Sequence, residues 1–186
     1  VAVGFGGLLG LFFAWMHVVY KAHLVVLAIA INLLSISSTV YFMRVFFGQA
    51  GTWSDPSIVQ LPEFSLGFVA EIPILGRILS GYNIIVYLSW LTAVALWILF
   101  YKTRLGRYIQ VTGENEAAAR SVGISTDRIK YFALIVGGML ASLGGAFLSV
   151  GHLTLFTRNM SSDRGWIGNA AALFGFNRPG GSFFAG

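Results

Sequence analysis

Four long apolar segments separated by polar stretches define the pattern of this chain. They cover residues 3–20, 24–47, 83–101 and 131–150. A helix needs about 20 residues to cross a hydrocarbon core of about 30 Å, and each segment is close to that length. The pattern therefore predicts an all-α, polytopic integral membrane helix bundle with about four complete spans.

A further apolar segment, residues 166–176, is too short to be a span of the same kind. At 1.5 Å per residue it would extend roughly 16 Å, about half of the hydrocarbon core. Two interpretations remain open: the segment re-enters the membrane, or it begins a span that continues beyond the sequence. Because the chain also opens within an apolar run, we expect residues 1–186 to form one transmembrane domain that is a fragment of a larger protein.

Composition supports a membrane protein and argues against nucleic-acid binding. Hydrophobic residues make up 56% of the chain, charged residues only 10%, and the mean hydropathy is +0.77, whereas soluble domains carry about 25% charged residues. The net charge of +5 would suggest nucleic acid as the partner of a soluble domain. Here the basic residues lie beside apolar spans, so membrane lipid is the expected partner and nucleic acid is not.

The sequence contains no set of residues that indicates catalysis or a metal site. It has no cysteine, and its three histidines and seven acidic residues form neither a ligand cluster nor a pair of catalytic carboxylates. A Gly-x-x-x-x-Gly-Lys-Ser/Thr loop for nucleotide phosphates is absent as well. We expect no enzyme activity, no metal and no cofactor bound by this chain.

The distribution of charge predicts how the chain is oriented in the membrane. Residues 102–130 contain six of the twelve basic residues, whereas residues 48–82 contain one arginine and three acidic residues. Because basic residues accumulate in cytoplasmic loops, residues 102–130 are predicted to form a cytoplasmic loop and residues 48–82 an extracytoplasmic loop. Within the outer loop, residues 73–80 have a pattern that allows a short amphipathic helix.

A short helix is predicted over residues 114–122 of the cytoplasmic loop. Glu114 and Glu116 fall in its first turn and Arg120 in its last, where each charge suits the helix dipole. Glu116 and Arg120 also have the favourable i, i+4 order for an ion pair. Gly123 ends the helix, because glycine adopts the left-handed conformation at little cost.

The next helix has a start signal of its own. Ser125 or Thr126 can cap it, and Asp127 falls in its first turn. A short helix, a glycine stop and a capped membrane helix would form a rigid connection that transmits a push from a soluble partner. An ordinary solvated loop is the alternative interpretation of the same residues.

Polar residues within the second apolar segment form another candidate site. Asn32, Ser35 and Thr39 are spaced i, i+3 and i+7, on one face of a helix. Polar side chains at membrane depth usually face protein or water. These three would either hydrogen-bond a neighbouring helix or line a path for a neutral, hydroxyl-rich solute, and the pattern leaves both open.

Small residues recur every four positions in the fourth apolar segment, at Gly137, Ala141 and Gly145, and an adjacent strip contains Gly138, Ser142 and Ala146. Glycine in a helix costs up to about 1 kcal/mol relative to alanine, so such a strip indicates close packing against another helix. Gly6 and Gly10 offer the same spacing in the first segment. The fourth helix is therefore predicted to be central in the bundle.

Residues 111–124 carry a resemblance to a known family. They read Val111-Thr112-Gly113-Glu114-Asn115, then Ala118-Ala119-Arg120 and Gly123-Ile124. This run resembles the cytoplasmic coupling segment of ABC-importer permeases, in the group that takes up simple sugars and nucleosides and is related to the branched-chain amino-acid permeases. Members of this group often carry proline after the Gly-Glu-Asn, where this chain has Glu116.

The resemblance implies contact with a separate ATPase through residues of this segment. The set is Gly113, Glu114, Asn115, Glu116, Ala118, Ala119, Arg120, Gly123 and Ile124.

The resemblance also implies a function: the transmembrane subunit of an ATP-driven uptake system in the cell membrane, with a path for a nucleoside or simple sugar. The implied partners are ABC ATP-binding subunits carrying ATP and Mg²⁺, a second permease subunit and an extracytoplasmic solute-binding protein. The alternative is a secondary transporter or channel with no ATPase. Such carriers generally place an ionisable residue within a span, and none lies in the middle of the four apolar segments.

Overall fold

The computed structural model describes residues 1–48, 52–53, 63–64, 82–152, 156–157, 160–162 and 164–185. Within these residues, four helices are long and apolar enough to cross a membrane. They are α1 (Ala2–Val19), α2 (Leu24–Phe47), α3 (Ile84–Lys102) and α6 (Thr126–Ala146). The predicted all-α polytopic fold is confirmed, and each predicted span coincides with one of these helices.

Shorter helices connect and follow the spans. Between α3 and α6 lie α4 (Arg104–Glu114) and α5 (Glu116–Ser121). A stretch of π-helix, Phe147–His152, extends α6, and α7 (Arg164–Phe174) and α8 (Pro179–Ala185) complete the described chain.

Four two-residue strands are described in the segments outside the long helices, and they form two antiparallel pairs. β1 (Thr52–Trp53) pairs antiparallel with β4 (Phe156–Thr157), and β2 (Glu63–Phe64) pairs antiparallel with β3 (Tyr82–Asn83). Strand pairing places the segment after α2 and the segment after α6 on the same side of the bundle, as four alternating spans require. The rest of the loop over residues 48–82, including the allowed helix at 73–80, lies outside the described residues.

The backbones of α1 and α6 approach each other very closely. A Cβ atom on Gly6 would lie 2.5 Å from the Gly138 carbonyl oxygen, and one on Gly10 would lie 2.6 Å from the Leu134 carbonyl oxygen. Only glycine fits at such distances, so the close approach predicted at Gly6 and Gly10 is confirmed. Because residue numbers rise along α1 as they fall along α6, the two helices run antiparallel.

The residues of α6 that make this contact are not those of the predicted strip. A Cβ atom on Gly137 or Gly145 meets no atom within 4 Å among the described residues, whereas Gly138 lies against the backbone of Gly6. Adjacent helical residues point about 100° apart, so the contact falls on the neighbouring strip. Gly137 and Ala141 line a groove that α6 forms with α1 and α2, and close helix packing of the strip Gly137, Ala141 and Gly145 stays a prediction.

Residues 166–176 belong to a helical hairpin. After Phe174 the chain turns through Phe176 and Asn177, both with φ of 54°, and continues as α8. Gly175 lies directly against Gly181, where a Cβ atom would be 2.5 Å from the Gly181 carbonyl carbon. α7 therefore ends at Phe174, and both interpretations of residues 166–176, a re-entrant segment or the start of a span, stay predictions.

A candidate coupling surface

The helix α4 folds tightly against the end of α3. Thr103 separates the two helices; its hydroxyl oxygen accepts a hydrogen bond from the Gly106 N–H at 3.2 Å and donates to the Leu99 carbonyl at 2.6 Å. Gly106 is buried, and a Cβ atom there would lie 2.5 Å from the Phe100 Cα. Sequence reasoning missed this helix, although Thr103 followed by an amphipathic pattern was a signal for it.

The predicted helix over residues 114–122 is wrong at its start. Asn115 interrupts the backbone with φ of −152° and ψ of 100°, and its side chain accepts a hydrogen bond from the Ala118 N–H at 3.0 Å. Asn115 therefore caps α5, which begins at Glu116. Glu114 is the last residue of α4 and does not lie in the first turn of α5.

The predicted glycine stop is confirmed. Gly123 has φ of 80°. Its N–H donates to the Arg120 carbonyl at 3.0 Å, and the Ile124 N–H donates to the Ala119 carbonyl at 3.1 Å. These two hydrogen bonds form a Schellman motif, which satisfies carbonyls at the end of α5 and fixes the direction in which the chain leaves it.

A network of charged side chains, here called the α5–α6 network, joins α5 to the start of α6. Glu116 accepts hydrogen bonds from Arg120 at 2.8 Å, as its i, i+4 spacing predicted, and from Lys130 at 2.7 Å. Arg120 also reaches Asp127 at 3.1 Å and the Thr126 hydroxyl at 3.0 Å. Two residues of α5 are thereby bonded to three residues of α6.

The start of α6 differs in one detail from the sequence prediction. Ser125 occupies the N-cap position, but neither its side chain nor that of Thr126 caps the helix. Thr126 is instead buried, and its hydroxyl oxygen accepts the hydrogen bond from Arg120. Asp127 lies in the first turn as predicted.

The electrostatics of the network favour the ionised form of Glu116. The hydrogen bond from Lys130 is the main cause that lowers the pKa of the Glu116 carboxyl below its ordinary value, and partial desolvation opposes it. Arg120 adds to the lowering. Glu116 is therefore a carboxylate at neutral pH, and the network carries two negative and two positive charges.

The coupling residues predicted from the family resemblance divide by exposure. Ala119 is completely buried, so its small side chain serves the packing of α5 and cannot touch a partner. Ala118 and Gly113 are exposed. Val122, which the prediction did not include, is 70% exposed. The outward face of α5 is therefore small and apolar, while its ends carry charge.

A groove of 410 Å³ lies between α4 and the junction of α5 with α6. Its wall consists mainly of apolar side chains: Leu105, Tyr108, Ile109, Val122, Ile124, Ile129 and Phe132. Arg128 is the charged residue in the wall. Ile124, one of the predicted coupling residues, thus faces this groove.

Two of the three polar residues predicted to share a face of α2 line the same groove. Ser35 and Thr39 line a groove of 480 Å³ between α1 and α2, and Ser38 joins them. Asn32 is exposed and does not line this groove. Within the described residues these side chains make no hydrogen bond to a neighbouring helix, so their assignment to a solute path stays a prediction.

Sequence reasoning missed a second pair of polar residues within the long helices. Ser89 and Thr92 of α3 line a groove of 360 Å³ that faces α6. Both hydroxyls donate to carbonyls of their own helix, at 2.7 and 2.8 Å. Among the described residues no group of His, Asp and Glu side chains is arranged to hold a metal ion.

These features define a class of protein: a multi-pass membrane protein in which two short helices and a network of charged side chains connect the long helices α3 and α6. A family model described as "Branched-chain amino acid transport system / permease component" matches residues 1–186, and the chain belongs to this family. The family resemblance is thereby confirmed, and membership of this family together with four apolar helices confirms the expected place in the cell membrane.

Curated relatives include several permeases. The chain is 29% identical over 188 residues to the guanosine ABC transporter permease protein NupQ of Bacillus subtilis, covering 99% of this chain and 57% of the relative. It is 25% identical to the nucleoside ABC transporter permease protein NupC of Lactococcus lactis, covering 100% of this chain and 59% of that protein. A segment covering 32% of this chain and 19% of the relative is 43% identical to the ribose import permease protein RbsC of Escherichia coli.

The chain spans a little over half the length of the first two relatives. No solved structure matches it.

Proposed function

We propose that this chain is part of the transmembrane subunit of an ATP-driven importer, and that α5 is its contact to a separate ATPase. The observation that carries the proposal is the α5–α6 network. α5 is a short helix with an exposed face, yet Glu116 and Arg120 bond it to the first turns of a membrane helix. A solvated loop with no mechanical role has no need of such a connection.

A force applied to α5 would reach the membrane through two contacts in series. The first is the α5–α6 network, and the second is the glycine contact of α6 with α1 at Gly138 and Gly6. α1 and α6 would therefore move as one unit. The grooves that face α2 and α3 would change width as this unit moves, which is the movement that opening and closing a solute path requires.

The solute class follows from chemistry and from the relatives. The described membrane helices offer neutral hydroxyls at Ser35, Ser38 and Thr39, which suit a neutral, hydroxyl-rich solute better than a charged one. Relatives of the chain carry the names of guanosine, nucleoside and ribose permeases. A nucleoside or a simple sugar is the solute that fits both observations.

The importer would need further components. ATP-binding subunits would supply ATP and Mg²⁺, since this chain has no nucleotide-binding loop. A second permease subunit would complete the path, and an extracytoplasmic solute-binding protein would deliver the solute. A secondary transporter or channel is not favoured, because the family is one of transport-system permease components.

The test is a bulky substitution on the exposed face of α5. Ala118→Trp should leave the full-length protein in the membrane but reduce co-purification of the ATPase and abolish most nucleoside-stimulated ATP hydrolysis. The matched control is His23→Trp, at an exposed position in the turn between α1 and α2. Equal ATPase binding and uptake in both variants would overturn the proposed contact.

A further inference from the structure

Four basic residues near the proposed ATPase contact have no acidic partner. Lys102, Arg104, Arg107 and Arg128 form no side-chain ion pair or hydrogen bond within the described residues, in contrast to Arg120 and Lys130. Glu116 and Asp127 are already occupied by the α5–α6 network. The structure thus separates a charge-balanced network from a group of free cations beside it.

Two of these cations share one side of α4 with exposed apolar residues. At 100° per residue, Arg104 and Arg107 lie about 60° apart, and Val111 lies between them. Tyr108 follows Arg104 on the same side. Leu105, Tyr108 and Val111 are 49%, 41% and 39% exposed, so cations and uncovered apolar surface adjoin each other.

The position of α4 fixes the environment of this side. α3 ends at Lys102, and only Thr103 separates it from α4. α4 therefore lies at the level where a membrane span leaves the bilayer. A helix with basic residues next to exposed apolar ones at that level is typical of helices lying in the membrane interface.

The groove of 410 Å³ continues this surface. Leu105 and Tyr108 belong to both, and Arg128 stands in the groove wall opposite them. Around α4, Arg104 lies about 40° from Tyr108, whereas Arg107 lies about 100° from Tyr108. An apolar groove with Arg128 in its wall and Arg104 at its edge matches a molecule with an acyl chain and a phosphate, because guanidinium groups bind phosphate through paired hydrogen bonds.

We propose that the surface formed by Arg104, Arg128 and this groove binds an anionic phospholipid of the membrane. The arginines hold the phosphate and headgroup charge, and the groove receives part of an acyl chain. The site goes beyond the proposed transport function. It would anchor α4 at the membrane surface next to the helix on which the ATPase acts.

The test uses the full-length protein in detergent, with phosphatidylglycerol and phosphatidylcholine as probes. Native mass spectrometry measures how much of each lipid stays bound. Each basic residue near an anionic membrane surface raises the affinity for anionic lipid about fivefold. Arg104→Gln combined with Arg128→Gln should lower phosphatidylglycerol binding about 25-fold and leave phosphatidylcholine binding unchanged.

Two further variants complete the test. Arg178→Gln removes an exposed arginine elsewhere in the chain and should not change lipid binding. Replacing Arg104 and Arg128 by lysine keeps the charge but removes the paired hydrogen bonds, so phosphatidylglycerol binding should fall less than in the glutamine variant. Equal binding of both lipids, or unchanged phosphatidylglycerol binding in the glutamine variant, would overturn the site. Loss of ATPase co-purification with lipid binding intact would assign the surface to the protein partner and would overturn it as well.

Discussion

Lys130 of α6 donates a hydrogen bond at 2.7 Å to Glu116 of α5, across fourteen residues of sequence. Gly123 turns the chain between α5 and α6, and this hydrogen bond joins the two helices across that turn. Exposed ion pairs contribute only about 0.2–1 kcal/mol each. The value of the contact therefore lies in fixing the direction of α5 rather than in stabilising the fold.

Removing the charge of Glu116 should uncouple transport without unfolding the protein. In Glu116→Gln, the side chain has no negative charge to attract Lys130 and Arg120. We expect solute-stimulated ATP hydrolysis to fall several-fold while the protein reaches the membrane at its normal level. The control is Arg178→Gln, which removes an exposed charge outside the α5–α6 network and outside the predicted ATPase contact. Similar ATPase stimulation in the two variants would contradict the role of the network.

The network should weaken in acid. The pKa of the Glu116 carboxyl is lowered, mainly by Lys130. A lowered pKa means that its contribution to stability is present at neutral pH and is lost as pH falls through the folded-state pKa. The stability difference between the parent and Glu116→Gln, measured by thermal unfolding in detergent, should therefore shrink as pH falls below the ordinary pKa of glutamate. A difference that grows in acid would contradict this sign.

A side chain at Gly123 should disturb the exit from α5. With φ of 80°, any other residue type is strained, and a β-branched residue most of all. Gly123→Val should cost about 1–2 kcal/mol or more locally and reduce ATPase co-purification. Gly168→Ala is the control, because a Cβ atom there meets nothing within 4 Å and the residue lies within the helix α7, outside the predicted ATPase contact. Normal ATPase binding by Gly123→Val would argue against a fixed junction.

The contact of α1 with α6 should depend on single methyl groups. Gly10→Ala would bring its Cβ atom within 2.6 Å of the Leu134 carbonyl oxygen, whereas Gly4→Ala meets nothing within 4 Å. Forcing atoms into a packed contact typically costs about 1–3 kcal/mol. Gly10→Ala should therefore lower the melting temperature in detergent, and Gly4→Ala should not. Equal melting temperatures would show that the two helices do not approach as closely as described.

The orientation can be tested by chemical labelling, because the chain has no native cysteine. A cysteine at Ser125, in the loop predicted to be cytoplasmic, should react with an impermeant thiol reagent only after the membrane is opened. A cysteine at Ser57, in the loop predicted to be extracytoplasmic, should react in intact cells. The reverse pattern would invert the topology, and with it the side on which an ATPase can bind.

Much of the fold follows from the sequence for local reasons. The four spans follow from the length and hydrophobicity of their segments, and these properties need no knowledge of the neighbours. The ion pair of Glu116 with Arg120 and the left-handed Gly123 follow from helix spacing and from the freedom of glycine. The family resemblance rested on the same short run of residues.

What only the tertiary structure decided concerns contacts between elements. The pairing of Glu116 with Lys130 depends on how the chain turns at Gly123. The contact strip of α6 contains Gly138 and not Gly137. α1 and α6 are apolar on almost all sides, so periodicity in the sequence does not fix how each helix is rotated about its axis. That rotation is set by the close fit of two backbones, a property that no single helix possesses.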